Sequence, residues 1–312
     1  MTQTIATGAG TTPHRNRTTH PARPGAAQRW TRRAPLLPAL IFAIVVTQIP
    51  FLVTLYLSTL DWNALRPGRR VFVGLANYGQ VLTDARLRAA LLNTVVLTAG
   101  SVIASVLLGL GLAILLDRKF PGRGVVRTLL ITPFLVMPMA AALLWKHAIY
   151  NPAYGLINGI VGGSTDWVSQ YPMLSVVTTL VWQWTPFMML IILAGLQGQS
   201  LETLEAARVD GAGPWQTFTR ITLPYLRPYL ELGALLGSIY LVQTFDAVFT
   251  ITQGGPGTAT TNLPYEIYLT TFRKFEYGEA AAAGVVVVIG TIVVATFALR
   301  VISSLFRMED AR

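Results

Sequence analysis

Aromatic and polar side chains occur together at two places inside long apolar stretches of the sequence. Rings can stack on a flat apolar ligand face, and amide, hydroxyl or carboxyl groups can hydrogen-bond to a polar ligand. The two groups comprise Trp182, Gln183, Trp184, Phe187, Tyr240, Gln243, Thr244 and Asp246. An ionisable residue inside an apolar segment is costly, so Asp246 is the strongest single candidate for a functional role. The alternative is packing between helices or an aromatic belt, with Asp246 solvated near an interface.

The sequence contains no recognisable catalytic or metal-binding motif. Its lysines are Lys119, Lys146 and Lys274, and none follows a glycine, so the Gly-Lys-Ser/Thr step of a phosphate-binding loop is absent. The three histidines are scattered, and the chain has no cysteine for a disulfide, a zinc site or a thiol nucleophile. We therefore expect a non-catalytic chain with no metal site and no cofactor.

The 205–224 loop, together with the few residues before it, predicts a helix, a sharp reversal and a second helix. Ser200 can cap the first helix, whose first turn carries an acidic residue. Gly211 allows the reversal, and Pro214 suits the first position of the next helix. Apolar side chains then recur at helical spacing: Trp215, Phe218, Ile221 and Leu223. The pattern alone fits equally a surface that docks a partner and an amphipathic surface linker.

The composition places these groups in a membrane protein. Of the 312 residues, 53% are hydrophobic and only 12% are charged. A soluble domain of this length would not tolerate that balance. The formal charge of +10 does not indicate nucleic-acid binding, because the basic residues cluster beside apolar segments.

Six apolar segments have the length needed to cross a bilayer. The fold class is therefore all-α, with six transmembrane helices in one domain over residues 34–306. Residues 1–33 lack acidic residues and apolar periodicity, which predicts a disordered basic tail, and residues 307–312 form a second short tail. The predicted spans are residues 34–60, 91–116, 128–149, 173–196, 229–252 and 280–302.

Basic residues predict the orientation of the spans, because cytoplasmic loops carry an excess of Lys and Arg. Most of the 24 basic residues lie in the first 33 residues, after the second and fourth spans, and at the C-terminus. Both termini are then cytoplasmic. Five arginines after the first span fit imperfectly, but the loop at 151–172 has no basic residue, which favours this orientation.

Small residues recur at helical spacing along the second span. They predict a seam at which another helix can approach closely. The alternative is that small residues are simply common in membrane helices. The residues are Gly100, Ala104, Ser105, Gly109 and Ala113.

Several motifs resemble those of permease subunits of binding-protein-dependent ATP-binding-cassette importers. The 205–224 loop carries Glu-Ala-Ala, then Asp-Gly-Ala, then an Ile-x-Leu-Pro ending. The Gly-Leu-Ala-Asn-Tyr run at 74–78, the Asn-Thr pair at 93–94 and the run at 252–268 are similar to the carbohydrate-importer branch. The resemblance extends over residues 34–306. The glycine-rich sequence at 254–260 and the basic tail are similar to those of the first permease of a pair.

The resemblance implies a prokaryotic cytoplasmic-membrane subunit with several partners. These are a second, similar permease, two ATPase subunits, an extracytoplasmic solute-binding protein and a carbohydrate substrate. The residues implied in coupling to the ATPase are Glu205, Ala206, Ala207, Asp210, Gly211, Ile221, Leu223 and Pro224. The implied contact with the binding protein is Gly254, Gly255, Pro256 and Gly257. The two aromatic groups match, by position, segments that line the sugar site of the maltose permease.

Other functions and substrates stay open at this point. A secondary transporter is expected to show inverted repeats and several buried ionisable groups, and neither is clear here. An intramembrane enzyme would need paired acids and bases, and Asp246 stands nearly alone. Among carbohydrates, the sequence of residues 241–268 resembles permeases for polyols such as mannitol or sorbitol, and a disaccharide such as maltose or trehalose is the alternative.

Overall fold

The computed structural model describes residues 37–66, 68 and 70–307, with side chains left out at 294, 295 and 297–307. The predicted tail at 1–33 lies outside the described residues, and so does the predicted tail at 307–312 except for Arg307, where a helix ends. The chain divides into two compact units at Phe51. In the first unit, the described residues 37–51 belong to one apolar helix, and the side chains of these residues are all exposed.

The second unit is built almost entirely of helices. Three π-helical turns, Trp145–Ile149, Phe218–Thr222 and Val248–Thr252, extend or replace regular helix. Two short strands, β1 (Leu60–Trp62) and β2 (Arg70–Phe72), pair antiparallel. The helices of the described chain are α1 (Leu37–Leu57), α2 (Ala76–Thr83), α3 (Ala85–Asp117), α4 (Arg123–Leu135), α5 (Pro138–Leu144), α6 (Leu156–Val161), α7 (Trp167–Gln170), α8 (Pro172–Gln197), α9 (Leu201–Val209), α10 (Pro214–Thr217), α11 (Leu223–Leu241), α12 (Leu263–Phe272) and α13 (Tyr277–Arg307).

Within the described residues, three helices are long and apolar enough to cross a membrane: α1, α3 and α8. A fourth span exists if α4 and the helix that continues from α5 are counted together. The apolar part of α13, Tyr277–Val293, is shorter. The all-α polytopic fold is confirmed, whereas six uninterrupted spanning helices are not.

The third predicted span, residues 128–149, is wrong as a single helix. It bends by 100° between Leu135 and Pro138. Proline has no amide hydrogen and disfavours helical geometry in the residue before it. Met137 accordingly has an extended ψ of 132°, and Pro138 begins the next helix.

The fifth predicted span, residues 229–252, is also wrong as a single helix. α11 begins earlier, at Leu223, and ends at Leu241. Residues 242–245 are not helical, and helical turns resume at Asp246. We refer to residues 242–245 as the 242–245 break.

The small-residue seam on α3 is confirmed as a contact with α8. A Cβ atom added at Gly109 would lie 2.8 Å from Met188 Cβ and 2.9 Å from the amide nitrogen of Met189. Ser105 and Ala113 are buried on the same stripe, and Gly100 lies near Val177. Only a glycine at position 109 allows the two helices to approach this closely.

Asn77, in the Gly-Leu-Ala-Asn-Tyr run, fastens α2 to the chain that follows α1. Its amide nitrogen donates to the carbonyl oxygens of Ser58 (2.8 Å) and Leu60 (2.9 Å). Next to α2, Asp84 caps α3 by accepting from the amide and the side chain of Arg86. The hydrogen bond from the Arg86 side chain is the main reason that the pKa of the Asp84 carboxyl is lowered.

Candidate functional site

The 205–224 loop has the helix, reversal and second helix that the sequence predicts. α9 ends at Val209, and Gly211 has a φ of +82°, a conformation that strains other residues. The amide of Ala212 donates 2.9 Å to the carbonyl of Ala207, which closes the turn. Pro214 is the first residue of α10. Ser200 occupies the cap position, but its side chain makes no capping hydrogen bond, so that detail of the prediction is wrong.

Most residues implied in coupling are accessible. Val209 and Trp215, which stand beside them, are apolar yet 87% and 74% exposed. Exposed apolar groups of this size indicate a surface that another protein or a lipid covers. Of the implied residues, Glu205, Ala206, Asp210, Gly211 and Pro224 are exposed, Ile221 and Leu223 are half-buried, and Ala207 is buried.

A groove of about 430 Å³ lies in this loop. Arg208 is its one charged lining residue, and the rest of the wall is small, hydroxyl or aromatic. The groove gives a partner side chain room to enter between α9 and the start of α11. Its lining is Arg208, Ala212, Pro214, Thr217, Phe218 and Thr222.

The structure divides the aromatic residues of α8 between two faces. Trp182 and Trp184 are two positions apart, which places them about 200° apart around a helix. The Trp182 ring lies 5.7 Å from that of Trp145. The Trp184 ring lies 5.7 Å from Phe187 and 5.6 Å from Tyr240. The two predicted groups therefore meet, at the contact between the Trp184 and Tyr240 rings.

Phe134, at the end of α4, completes this arrangement and was not predicted from the sequence. Its ring stacks on Phe187 at 5.3 Å and meets Trp184 edge-on at 5.7 Å. Tyr240 is 59% exposed, and the other three side chains are half-buried. We call Phe134, Trp184, Phe187 and Tyr240 the aromatic cluster. It presents ring faces on which a ligand can stack.

Gln183 has a different role from its neighbours. Its side chain is only 6% exposed, and its amide nitrogen donates 3.0 Å to the carbonyl oxygen of Val136. Val136 lies in the bend between α4 and α5. Gln183 thus stabilises the bend that places Phe134.

The other polar candidates lie in or beside the 242–245 break. Gln243 is exposed, and its amide nitrogen donates 3.1 Å to the carbonyl of Ile239. Thr244 is half-buried, and its carbonyl accepts from the side chain of Asn262. Asp246 is half-buried where helical turns resume. All three follow Tyr240 closely in the chain, so the aromatic cluster has polar groups beside it.

The glycine-rich residues implied in binding-protein contact form an ordered turn, which we call the 254–262 loop. Gly254 has a φ of +81° and is buried. Gly255 precedes Pro256 through a cis peptide bond and is half-buried. Pro256 and Gly257 are exposed. A partner can therefore reach Pro256 and Gly257, whereas Gly254 serves the packing of the loop.

The Asn-Thr pair of α3 binds this loop. The Asn93 amide nitrogen donates to the carbonyls of Thr258 (2.9 Å) and Thr261 (3.0 Å). The hydroxyl of Thr94 accepts a 2.9 Å hydrogen bond from the amide of Leu263. The resemblance pointed to the pair, but only the structure shows what it holds.

Comparison with known proteins gives the family. The profile described as binding-protein-dependent transport system inner membrane component matches residues 36–308. A probable ABC transporter permease protein of Sinorhizobium fredii is 36% identical over 252 residues, which are 79% of this chain and 81% of that protein. The trehalose/maltose transport system permease protein MalF of Thermococcus litoralis is 32% identical over 270 residues, 85% of this chain and 90% of that protein.

A solved structure shares the fold. It is a bacterial alginate ABC transporter in complex with an alginate-pentasaccharide-bound periplasmic protein. One of its chains superposes with a TM-score of 0.74 at 21% identity, covering 87% of this chain and 93% of that one. This chain therefore belongs to the family of inner membrane components of binding-protein-dependent transport systems.

Proposed function

We propose that this chain is a permease subunit of an ATP-driven carbohydrate importer in the cytoplasmic membrane of a prokaryote, with both termini cytoplasmic. Two separate ATPase subunits hydrolyse ATP, a second permease completes the pathway, and a solute-binding protein delivers the substrate. One observation carries the proposal. The 205–224 loop, which exposes Glu205 and Ala206, leads through α10 and a π turn directly into α11, and Tyr240 lies in the last turn of α11.

The loop is suited to receive force from an ATPase. Glu205 and Ala206 lie on the exposed side of α9, and Val209 and Trp215 offer exposed apolar area. A cleft in an ATPase that took α9 would bury these groups. Closure of that cleft would then tilt α10 and α11 together, because no coil separates them.

The aromatic cluster is suited to a sugar with ring faces. Its rings offer stacking surface, and Gln243 and Thr244 beside it offer polar groups. The relative from Thermococcus litoralis carries trehalose and maltose in its name. We therefore favour a disaccharide as the substrate. The acyclic polyol indicated by the sequence of residues 241–268 has no flat ring face that could stack on these side chains.

Uptake into vesicles tests this function. The chain is reconstituted with its partner permease and ATPase subunits, with ATP inside the vesicles and the loaded binding protein outside. Labelled trehalose and maltose are expected to accumulate against a gradient, and only with ATPase subunits present. Uphill uptake by this chain without them would overturn the importer proposal, and uptake of mannitol but of neither disaccharide would overturn the substrate.

Glu205→Lys tests the coupling role. The variant assembly is expected to insert normally but to lose most ATP-driven uptake, since the reversed charge disturbs the contact of α9 with the ATPase. Asp117→Lys is the control, because it makes the same charge change at an exposed position at the end of α3. Equal uptake by the two variants at equal membrane amounts would contradict a docking role for α9.

A further inference from the structure

We propose that Asn262 is a positioning residue that passes a movement of the 254–262 loop to the 242–245 break and so to the aromatic cluster. The inference rests on the proposed function, in which the binding protein contacts this loop. It assigns to one buried side chain the step between docking of that protein and a change at the substrate pathway.

The 254–262 loop is held together as one body. The hydroxyls of Thr252 and Thr260 are 2.7 Å apart, and the Thr261 hydroxyl donates 3.3 Å to the carbonyl of Gly254. A Cβ atom at Gly254 would lie 2.8 Å from the Tyr265 ring, so the loop is packed against α12 as well. A push on the exposed Pro256 therefore moves the whole loop instead of deforming its tip.

One side of the loop is attached to α3. The two hydrogen bonds from Asn93 and the one that Thr94 accepts fix the carbonyl side of Thr258 and Thr261 and the amide of Leu263. α3 in turn packs along α8 at Gly109. This attachment gives the loop a defined pivot.

The other side of the loop is attached to the 242–245 break. Among the described residues, the side-chain hydrogen bond that joins these two segments comes from Asn262. Asn262 has no exposed surface. Its oxygen accepts 3.2 Å from the amide of Tyr265 and so caps α12, and its nitrogen donates to the carbonyl of Thr244. The side chain therefore joins the start of α12 to the middle of the break.

The break passes the displacement on because it is short. The amide of Thr244 donates 3.1 Å to the carbonyl of Leu241, and the amide of Gln243 donates 3.3 Å to that of Tyr240. Thr244 cannot shift without pulling on these carbonyls. Tyr240 is the exposed ring of the aromatic cluster, so loop movement changes the face that this cluster offers.

The two hydrogen bonds of Asn262 can be separated by substitution. In Asn262→Ser, the hydroxyl still caps α12, since serine is a good helix cap, but it is too short to reach Thr244. Asn158→Ala is the matched control. Asn158 is also a buried asparagine, and it holds a different loop through Thr165 and Trp167.

The experiment measures ATPase activity of the full assembly in lipid nanodiscs, with and without loaded binding protein. Asn262→Ser is expected to keep the unstimulated rate and the affinity for the binding protein, and to lower the thermal unfolding midpoint no more than Asn158→Ala does, but to lower the stimulation by about tenfold. Asn158→Ala is expected to keep the stimulation.

Three outcomes overturn the inference. Wild-type stimulation in Asn262→Ser shows that the bond to Thr244 transmits nothing. A loss of stimulation accompanied by an equal loss of binding-protein affinity, or matched by the same loss of stimulation in Asn158→Ala, assigns Asn262 a merely structural role. If the wild-type assembly itself shows no stimulation, the proposed function fails, and the inference fails with it.

Discussion

The side-chain amide of Gln183 donates a 3.0 Å hydrogen bond to the carbonyl oxygen of Val136. This bond joins α8 to the bend between α4 and α5, where the helical hydrogen-bond ladder is interrupted. It lies directly beside the aromatic cluster, because Trp184 follows Gln183 and Phe134 lies two residues before Val136. A residue that sequence reasoning assigned to the pathway thus shapes the site from behind.

Replacing Gln183 by leucine is expected to lower stability by about 1–3 kcal/mol, because a buried carbonyl loses its donor. Uptake is expected to fall further than stability alone explains, since Phe134 is no longer held in place. The thermal unfolding midpoint in detergent and uptake in vesicles measure the two effects. Gln197→Leu, at the exposed end of α8, is the control. Equal effects of the two variants would contradict the role assigned to Gln183.

Replacing Gly109 by alanine is expected to destabilise the protein by about 1–3 kcal/mol, because the added methyl group meets the backbone of α8. The control lies on the same helix. A Cβ atom at Gly111 has no heavy atom within 4 Å, so Gly111→Ala is expected to be neutral or slightly stabilising. The thermal unfolding midpoints of the two variants are compared. A Gly109→Ala variant as stable as Gly111→Ala would mean that α3 and α8 are not in close contact.

Truncating Trp184 to alanine is expected to slow ATP-driven sugar uptake by about tenfold, because a stacking face is lost. Trp182→Ala removes the same side chain from the opposite face of α8, where it packs on Trp145. Uptake rates are compared at equal amounts of protein in the membrane. If Trp182→Ala slows uptake more than Trp184→Ala does, the aromatic cluster is not the substrate site.

Replacing Lys274 by methionine is expected to cost roughly 2–3 kcal/mol, because Glu266 then loses a partner at 2.8 Å while only 6% exposed. The value is below that of a fully buried pair, since the lysine side chain is 31% exposed. The double variant Glu266→Gln/Lys274→Met is expected to recover part of the loss. Lys119→Met, at an exposed position, is the control. An unfolding midpoint that falls equally in Lys274→Met and Lys119→Met would contradict a contribution of the Glu266–Lys274 pair to stability.

Local backbone chemistry made the 205–224 loop predictable. The reversal needs a left-handed residue at Gly211, and Pro214 starts the next helix, and both requirements are visible in the residue types. The seam at Gly109 was predicted for a similar reason, since small residues at helical spacing let another helix approach closely.

The two interruptions of the spans were not predicted, because apolar composition alone does not show where a helix ends. Pro138 is a signal that could have located the first. The second has no proline or glycine in residues 242–245. Its Thr244 carbonyl accepts a hydrogen bond from Asn262, a contact that local sequence patterns do not indicate. The same limit hid Phe134, which reaches the cluster only because the third span bends.

The unbroken run of helical turns from Pro214 to Leu241 fixes an angular phase between its two ends. Each residue advances an α-helix by about 100° and 1.5 Å, so Leu223 and Tyr240, both in α11, are separated by about 26 Å along the axis. Adding or deleting one residue within α11 is expected to change the angle between the 205–224 loop and Tyr240 by about 100°. We therefore expect the number of residues in α11 to constrain the coupling between the 205–224 loop and the aromatic cluster, unlike the length of an ordinary surface loop.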